Sequence, residues 1–327
     1  MAGRARLSAE IERWPVAGAF VIARGAKTHV DVVVATIDRD GRSGRGEATP
    51  IYYHGETAEG VHETILAQAG AIADGAGRAE IRSTMPRGAA RNALDAALWD
   101  LDAKAGRPVG LPDPAPLVTA YTLSLGRPDE MEAAARAAGP RYPLLKLKLA
   151  GEGDAERVAA VRRGAPSARL IVDANEAWTG RDVAAEAAAL VPHGVELIEQ
   201  PVAAGRDDLL DGVVSPIPLC ADESCQDRTD LERCRGRYAA INVKLDKAGG
   251  LTEALALIAE ARAIGLKVMV GCMLSTSLGL APAFLAAQGA DWVDLDGALL
   301  LARDRPDGFA YDGGTMRPAA SSLWGGA

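Results

Sequence analysis

Residues 144–149 read LLKLKL, an apolar run that contains Lys146 and Lys148. On a β-strand, successive side chains alternate between the two faces, so both lysines point the same way and the interleaved leucines point the other way. Taken alone, a lysine–x–lysine pattern is more typical of an exposed edge strand. Its meaning therefore depends on the segments that surround it.

Beyond residue 112, short apolar segments alternate with helical stretches. Eight such segments follow one another: TAYTLSLG, LLKLKLA, RLIVDAN, VELIEQP, IPLCADES, AAINVKLDK, KVMVGCM and DWVDLDG. Strands that alternate with helices indicate parallel β–α–β units, and eight of them indicate a closed barrel. The pattern thus predicts an α/β fold of the TIM-barrel type.

The first hundred residues differ from this pattern. Residues 28–50 (THVDVVVATIDRDGRSGRGEATP) predict two strands joined by a turn at Asp40–Gly41, and helical stretches follow at about 57–75 and 87–105. The segment RPVGLPDPAPL, residues 107–117, contains four prolines and is typical of a linker. We therefore expect a separate N-terminal unit ahead of the barrel.

Composition excludes several classes of partner. The 327-residue chain has a net charge of −8 and no basic block, which argues against nucleic acid. Residues 268–290 carry no charge, but glycines, a proline and hydroxyl residues interrupt them, so a strand, loop and helix fit better than a membrane span. The first residues lack the apolar core of a secretory signal, and the four cysteines form neither a zinc-ligand pattern nor a small secreted framework. We expect a cytoplasmic protein.

Charged residues recur where the predicted barrel strands end. In such a barrel, the C-terminal ends of the strands line the active site. A merely solvated charge pattern has no reason to return to that position in one repeat after another. The residues at the strand ends are Lys148, Asp173, Glu199, Asp222, Lys244 and Asp294.

Three successive strands supply Asp173, Glu199 and Asp222. Three carboxylates at one mouth repel one another unless a cation neutralises them, and ligands that are all oxygen favour a hard ion such as Mg²⁺. The alternative is that each carboxylate separately caps a helix or forms a loop salt bridge. That explanation would have to apply independently at three consecutive strands.

The two strand-end lysines suggest a reaction. Lys148 ends the second strand and Lys244 the sixth, so in a ring of eight they face each other across the carboxylates. One lysine could remove a proton from a carbon next to a carboxylate and the other could return one from the far side, which inverts the stereocentre. Removal of that proton generates an enediolate, in which the substrate carboxylate gains negative charge. The positive charge of Lys146 would disfavour protonation of Lys148 and help to neutralise the enediolate.

Asp294 and Asp296 share one face of the eighth strand. Two carboxylates placed there suit a substrate ammonium group. The alternative is a structural turn at Asp296–Gly297.

The motifs KLKL, VDANEAW, IEQP, ADES and NVKLDKAGGLTEAL resemble those of the enolase superfamily, in its muconate-lactonizing subgroup. The resemblance covers nearly the whole chain. It implies an α+β capping domain over residues 1–112, a modified (β/α)₇β barrel over 113–302, and a C-terminal segment, 303–327, that returns to the cap.

Within that subgroup, FVIARG, GCMLSTS and above all DLDG make the chain similar to the dipeptide epimerases, and most to the L-Ala-D/L-Glu epimerases of cell-wall peptide metabolism. One departure is Ser275 in GCMLSTS, where many members of the subgroup carry an acidic residue. The resemblance implies a small dipeptide substrate and leaves open whether the chain forms a homo-oligomer.

The same resemblance assigns roles to residues. It implies one Mg²⁺ per subunit, and it makes Arg24, in a loop of the cap, the partner of a glutamyl side-chain carboxylate. Without the resemblance, a surface arginine is the simpler reading of Arg24. The implied roles are metal binding by Asp173, Glu199 and Asp222, acid–base catalysis by Lys148 and Lys244, and substrate binding by Arg24, Thr122, Lys146, Cys272, Asp294 and Asp296.

Other functions stay open at this point. Within the superfamily they are cycloisomerisation, o-succinylbenzoate synthesis, N-acylamino acid racemisation and a dipeptide epimerase of different side-chain specificity. Outside it, one of the lysines could form a Schiff base in a lyase, or the barrel could be a catalytically silent binding protein. The DLDG motif favours a substrate with an ammonium group, and the three carboxylates argue against the lyase.

Overall fold

The computed structural model describes residues 4–22, 25–106 and 113–325. It contains an antiparallel sheet with helices at the N-terminal end, a parallel eight-stranded sheet, and a small C-terminal sheet. The strands are β1 (Arg6–Ile22), β2 (Gly25–Arg39), β3 (Arg42–Ala48), β4 (Leu117–Val118), β5 (Tyr121–Leu123), β6 (Leu144–Lys148), β7 (Arg169–Asp173), β8 (Val195–Glu199), β9 (Leu219–Ala221), β10 (Ala240–Lys244), β11 (Lys267–Gly271), β12 (Trp292–Asp294), β13 (Tyr311–Asp312) and β14 (Thr315–Met316).

The α-helices lie between these strands and vary greatly in length. They are α1 (Ala58–Leu66), α2 (Ala69–Ala73), α3 (Arg78–Thr84), α4 (Ala89–Lys104), α5 (Pro128–Ala138), α6 (Asp154–Gly164), α7 (Val183–Leu190), α8 (Leu231–Cys234), α9 (Leu245–Ala248), α10 (Leu251–Ala263) and α11 (Ser277–Ala286). Between β8 and β9 the chain forms only a 3₁₀ turn, Asp207–Leu210. No α-helix separates these two strands, although the sequence pattern predicts that strands and helices alternate. No helix among the described residues is long and apolar enough to cross a bilayer.

The predicted barrel is confirmed. Strands β5 to β12 pair in parallel in chain order, and the amide of Ala120 donates to the carbonyl of Val293 at 2.8 Å where the last strand meets the first. Register brings Lys148 beside Asp173 and Asp173 beside Glu199. The strand ends that the sequence marks as polar are therefore neighbours at one end of the barrel.

The side chains inside the barrel are apolar at one end and charged at the other. At the bottom, every strand or its leading residue contributes one buried apolar side chain: Ala120, Leu144, Ile171, Leu197, Cys220, Ala240, Met269 and Trp292. Two or four residues further along each of several strands, on the same face, come the charged groups such as Lys146 and Lys148. Leu145 and Leu147 belong instead to the large cluster that packs the strands against the helices. The alternation in LLKLKL thus separates the lumen from the outer layer.

The N-terminal unit is a three-stranded sheet, in the order β1-β2-β3, covered by α1, α2 and α4, with α3 packed against α4. Its β2–β3 turn is at the predicted place, with positive φ angles of 52° at Asp40 and 75° at Gly41, the combination that tight hairpins favour. Strand β3 lies so close to α4 that a Cβ added at Gly44 would meet the carbonyl oxygen of Ala97 at 2.2 Å. Glycine is therefore required for this contact. The long strand β1 and helix α3 were not predicted from the sequence.

Buried polar contacts attach this cap to the barrel and to the C-terminal segment. The Arg91 guanidinium donates to the carbonyl oxygens of Gly249 and Ala248 at 3.0 and 2.5 Å. In the C-terminal segment, Arg305 pairs with Glu47 at 2.8 Å, and the indole of Trp324 donates to the carbonyl of Ala96 at 3.1 Å. The domain boundaries 1–112, 113–302 and 303–327 stay predictions, and residues 107–112 are outside the described part.

Asp246 gives the cap contact a pH dependence. Its Oδ1 accepts from the Thr49 amide at 3.0 Å and from the Asn92 side chain at 2.9 Å, and burial raises the pKa of Asp246 to about 7, with Glu56 and Glu47 raising it further. In the unfolded chain this carboxyl ionises near pH 4. Its protonation therefore stabilises the folded protein below about pH 4, and this contribution is lost as the pH rises to 7.

We expect Asp246→Asn to remove that loss, because the amide keeps the Oδ1 acceptor and carries no charge. The free energy of unfolding of the variant relative to the wild type should rise between pH 4.5 and 8, by up to about 4 kcal/mol for a shift of three pKa units. Urea unfolding at several pH values measures this. Asp208→Asn, at an exposed carboxyl, is the matched control. Parallel pH profiles for Asp246→Asn and the wild type would contradict the expectation.

Candidate active site

A pocket lies between the cap and the barrel mouth, and its volume is about 670 Å³ when the part open to solvent is included. Asp173 and Glu199, only 0% and 1% exposed, lie behind its lining. Arg24 is outside the described residues. The residues singled out from the sequence that line this pocket are Thr122, Lys146, Lys148, Asp222, Lys244, Cys272, Asp294 and Asp296.

Lys148 and Lys244 approach from opposite sides of the barrel. They end β6 and β10, which are four strands apart in a ring of eight. Lys148 Nζ lies 2.7 Å from Asp173 Oδ2, and Lys244 Nζ lies 2.6 Å from Asp222 Oδ2. Burial alone would lower the pKa of Lys244, but Asp222 and Glu199 raise it well above the ordinary value. The two ammonium groups thus flank the carboxylates from either side.

Glu199 occupies the middle of this arrangement. Its Oε1 accepts from the Asn242 side chain at 2.7 Å, and its Oε2 lies 2.5 Å from Lys146 Nζ. Burial raises the pKa of Glu199 to about 7, and the nearby charge of Asp173 raises it further. The negative charge at this point is therefore only partly compensated by the lysines.

The three carboxylates do not form a ready ligand set in this arrangement. Within residues 4–22, 25–106 and 113–325, no group of three or more His, Cys, Asp or Glu side chains has the geometry of a metal site. Each of the three carboxylates is instead contacted by at least one ammonium group. The donor set nevertheless fits a hard divalent cation, because all three side chains are oxygen donors at the ends of adjacent strands. Burial raises the pKa of Glu199 to about 7, which shows that the lysines compensate its charge only in part.

Lys146 is held more firmly than the sequence suggests. Its Nζ lies 2.6 Å from Asp294 Oδ2 as well as 2.5 Å from Glu199, and only 2% of the side chain is exposed. Burial would lower the pKa of Lys146, but Asp294 and Glu199 raise it well above the ordinary value. Lys146 is therefore a fixed ammonium group beside Lys148.

The aspartates of β12 and its following turn keep acceptors free for a ligand. Asp294 Oδ1 is buried and has no donor within the part of the chain that the structure describes. Asp296 Oδ2 accepts from the Thr122 amide at 2.6 Å. Burial raises the pKa of Asp296 to about 7, and Asp294 raises it further. Two closely spaced carboxyl groups with incomplete countercharge suit an ammonium ligand.

Several residues of the site were missed by sequence reasoning. The cap contributes Phe20, Lys27, Tyr52 and Tyr53 to the pocket. The family resemblance points to the segments FVIARG and TPIYYHGET, which contain three of the four, but nothing in the spacing marks the individual residues. Asn242 could have been found, because it lies on the same strand face as Lys244. For Lys247 the sequence favours either a supporting or a solvated role, and the structure agrees with the first, because Lys247 is 1% exposed and bonded to Asp222.

The pocket and its barrel place the chain in a family. Residues 6–109 match the mandelate racemase / muconate lactonizing enzyme N-terminal domain, and residues 128–320 match the enolase C-terminal domain-like model. The chain belongs to this enolase superfamily, as its sequence motifs predicted. The relatives it matches are epimerases and racemases, so the chain is an isomerase.

Individual relatives are similar over most of their length. The L-Ala-D/L-Glu epimerase of Escherichia coli K12 is 42% identical over 93% of this chain and 97% of that protein. An N-acetyl-D-glutamate racemase of Pseudoalteromonas sp. is 48% identical over 76% of this chain and 80% of that one.

Solved structures agree with these relatives. An enolase family member from Agrobacterium tumefaciens with homology to dipeptide epimerases, solved with sodium and L-Ala-L-Glu, superimposes with a TM-score of 0.95 at 48% identity, over 98% of this chain and 99% of that one. Further dipeptide epimerases of this fold were solved with Mg and a dipeptide.

Proposed function

We propose that the protein is a Mg²⁺-dependent dipeptide epimerase that inverts the glutamyl α-carbon of L-Ala-D/L-Glu. The observation that carries the proposal is the placement of Lys148 and Lys244 on opposite strands, with three carboxylates between them. A carbon held between two amines can lose a proton to one and gain a proton from the other. That is a two-base 1,1-proton transfer, and its product has the opposite configuration.

The three lysines of the pocket have different roles in the proposed reaction. The lysine that faces the α-hydrogen accepts it in its neutral form, while the opposite lysine is protonated and donates. Lys146, an ammonium group paired with Glu199 and Asp294, stays charged and stabilises the negative charge that develops on the substrate carboxylate. The apolar layer below and the cap above limit the water that reaches the reacting carbon.

Asp173, Glu199 and Asp222 would hold the Mg²⁺. When bound, the ion supplies positive charge next to the substrate carboxylate, which makes the α-proton more acidic. In the arrangement described here, Lys148 and Lys244 contact two of these carboxylates directly. Once these carboxylates hold the cation, Lys148 and Lys244 would be free to face the substrate.

The N-terminal ammonium of the dipeptide would bind at Asp294 and Asp296. Asp294 Oδ1 lacks a described donor, and Asp296 faces the same pocket. An N-acylated amino acid has no ammonium group and would leave the buried Oδ1 of Asp294 without a donor, which is costly. The second candidate function is nevertheless N-acylamino acid racemisation, because the Pseudoalteromonas relative bears that name.

An acidic side chain on the substrate would meet Lys27 in the cap. Lys27 lines the pocket, and its Nζ lies 4.4 Å from the centre of the Tyr52 ring. Burial lowers the pKa of Lys27, and no carboxylate of the described residues forms an ion pair with it. A glutamyl carboxylate would supply the missing countercharge. Arg24 stays a second proposed partner for that carboxylate.

We expect Lys27→Met to raise the KM for L-Ala-L-Glu about 10- to 100-fold, because a hydrogen bond to a charged group is worth about 1.5–3 kcal/mol. The KM for L-Ala-L-Leu should stay the same or fall, since the neutral side chain gains apolar surface. Steady-state kinetics with both dipeptides measure the difference. Lys267→Met, at an exposed lysine at the opposite end of the barrel, is the control. Equal losses for both substrates would refute a role in charge recognition.

A dipeptide screen tests the proposed function itself. The protein is incubated with L-Ala-Xaa dipeptides, N-acetyl-L-glutamate and Mg²⁺ in deuterated water, and mass spectrometry detects deuterium at the α-carbon. The proposal expects the fastest incorporation with L-Ala-L-Glu. Faster incorporation into N-acetyl-L-glutamate would establish the second candidate instead, and no incorporation into any of them would overturn both.

A further inference from the structure

A buried lysine lies behind the carboxylate of Asp222. Lys247, in α9 directly after β10, is 1% exposed, and its Nζ lies 2.5 Å from Asp222 Oδ1. The same Nζ donates to the carbonyl of Cys225 at 2.9 Å, to that of Asn242 at 3.1 Å, and to that of Asp222 itself. One ammonium group thus connects the loop after β9 with the end of β10.

The contacts of Asp222 divide its two carboxylate oxygens. Oδ1 is held by Lys247 and Oδ2 by Lys244, at 2.5 and 2.6 Å. The two lysines differ in surroundings, because Lys244 lines the substrate pocket whereas Lys247 lies behind the carboxylate and does not line that pocket. Only Oδ2 is therefore presented toward the substrate side.

The number of contacts separates two roles that Lys247 could have. A simple countercharge needs only the carboxylate of Asp222. Lys247 also binds three main-chain carbonyl oxygens, and these belong to the segments that carry Asp222 and Lys244. The Gln200 side chain supports the same loop by accepting from the amides of Asp222 and Ser224 at 2.8 and 3.1 Å. These contacts indicate that Lys247 fixes the position of Asp222 and does more than balance its charge.

We propose that Lys247 is a positioning residue for the metal site: it holds Asp222 by Oδ1 and by the main chain so that Oδ2 alone is offered to the divalent cation. The inference rests on the proposed function, because it assumes that Asp222 is a ligand. Groups that orient metal ligands in this way typically contribute 10- to 100-fold to metal affinity. A countercharge alone would act in the opposite direction, since its removal leaves a more negative site and tighter cation binding.

The test is calorimetric titration of Mg²⁺ into the chelator-treated protein, at a temperature well below the melting temperature of each variant. We expect Lys247→Met, which keeps an unbranched side chain that ends where the ammonium group would begin and has no donor, to weaken Mg²⁺ binding 10- to 100-fold. Unchanged or tighter binding would overturn the inference. Lys267→Met, at an exposed lysine, should bind as the wild type does.

Two further measurements keep the outcome decisive. If Lys247→Met does not fold, Lys247→Arg replaces it: the planar guanidinium keeps the charge but cannot reach all four acceptors in the same way. Weakening of at least fivefold supports positioning, and wild-type affinity overturns it. Failure of the wild type itself to bind Mg²⁺ would refute the metal in the proposed function, a result distinct from equal binding by wild type and variant.

Discussion

Lys244→Met is expected to abolish epimerisation while leaving hydrogen exchange with solvent on one epimer of the substrate. Lys148 and Lys244 reach the pocket from opposite sides, so each can contact only one face of the α-carbon. With Lys244 absent, Lys148 can still remove and return the proton that faces it, but no donor remains on the other side. Epimerisation should fall by about 10³-fold or more, about 4 kcal/mol in the barrier.

Incubation of L-Ala-L-Glu and L-Ala-D-Glu in deuterated water, followed by NMR and chiral chromatography, measures exchange and inversion separately. Lys148→Met should show the complementary pattern, with exchange confined to the other epimer. Lys267→Met should retain both activities. Exchange of both epimers by either pocket variant would mean that a single base serves both faces, and the two-base mechanism would then be wrong.

Removal of the metal is expected to have the second largest effect. Treatment with a chelator should reduce turnover by at least about 10³-fold, and Mg²⁺ should restore it, because the ion supplies several kcal/mol of charge stabilisation. Glu199→Gln should prevent the restoration. The amide keeps the size of the side chain and can still accept from Asn242, but it lacks the charge that a hard cation requires.

Glu196→Gln is the matched control for Glu199→Gln, since Glu196 belongs to the same strand but pairs with Arg169 outside the pocket. It should leave Mg²⁺ binding and turnover unchanged. Full turnover by the chelator-treated wild type would contradict the proposed metal dependence. Restoration of Glu199→Gln by Mg²⁺ at wild-type concentrations would remove Glu199 from the ligand set.

The barrel and much of its charged mouth could be predicted because they depend on a local rule. Side chains alternate along a strand, so Lys146 and Lys148 had to share a face, and parallel strands bring their C-terminal ends together. The structure confirms the fold and groups the predicted strand-end side chains around one pocket. No long-range information was needed for that part.

Other features depend on contacts between distant segments. Lys27 and Tyr52 reach the pocket only because the cap lies over the barrel, and the sequence contains no pattern that reports this. Lys247 looks like an ordinary charge on a short helix, yet the loop after Asp222 surrounds it with carbonyl groups. The ion pairs that engage the carboxylates likewise depend on side-chain conformations, which strand periodicity does not determine.

The apolar layer at the bottom of the lumen has a consequence for how the molecule can change. Each of eight segments supplies one side chain to this layer. None of the eight ionises at neutral pH, because burial raises the pKa of the single titratable group, the Cys220 thiol, well above its ordinary value. Folding of the lower half therefore draws on hydrocarbon contacts that are independent of the reacting groups. New substrate preferences could arise by exchange of residues at the barrel mouth while the apolar layer beneath them stays unchanged.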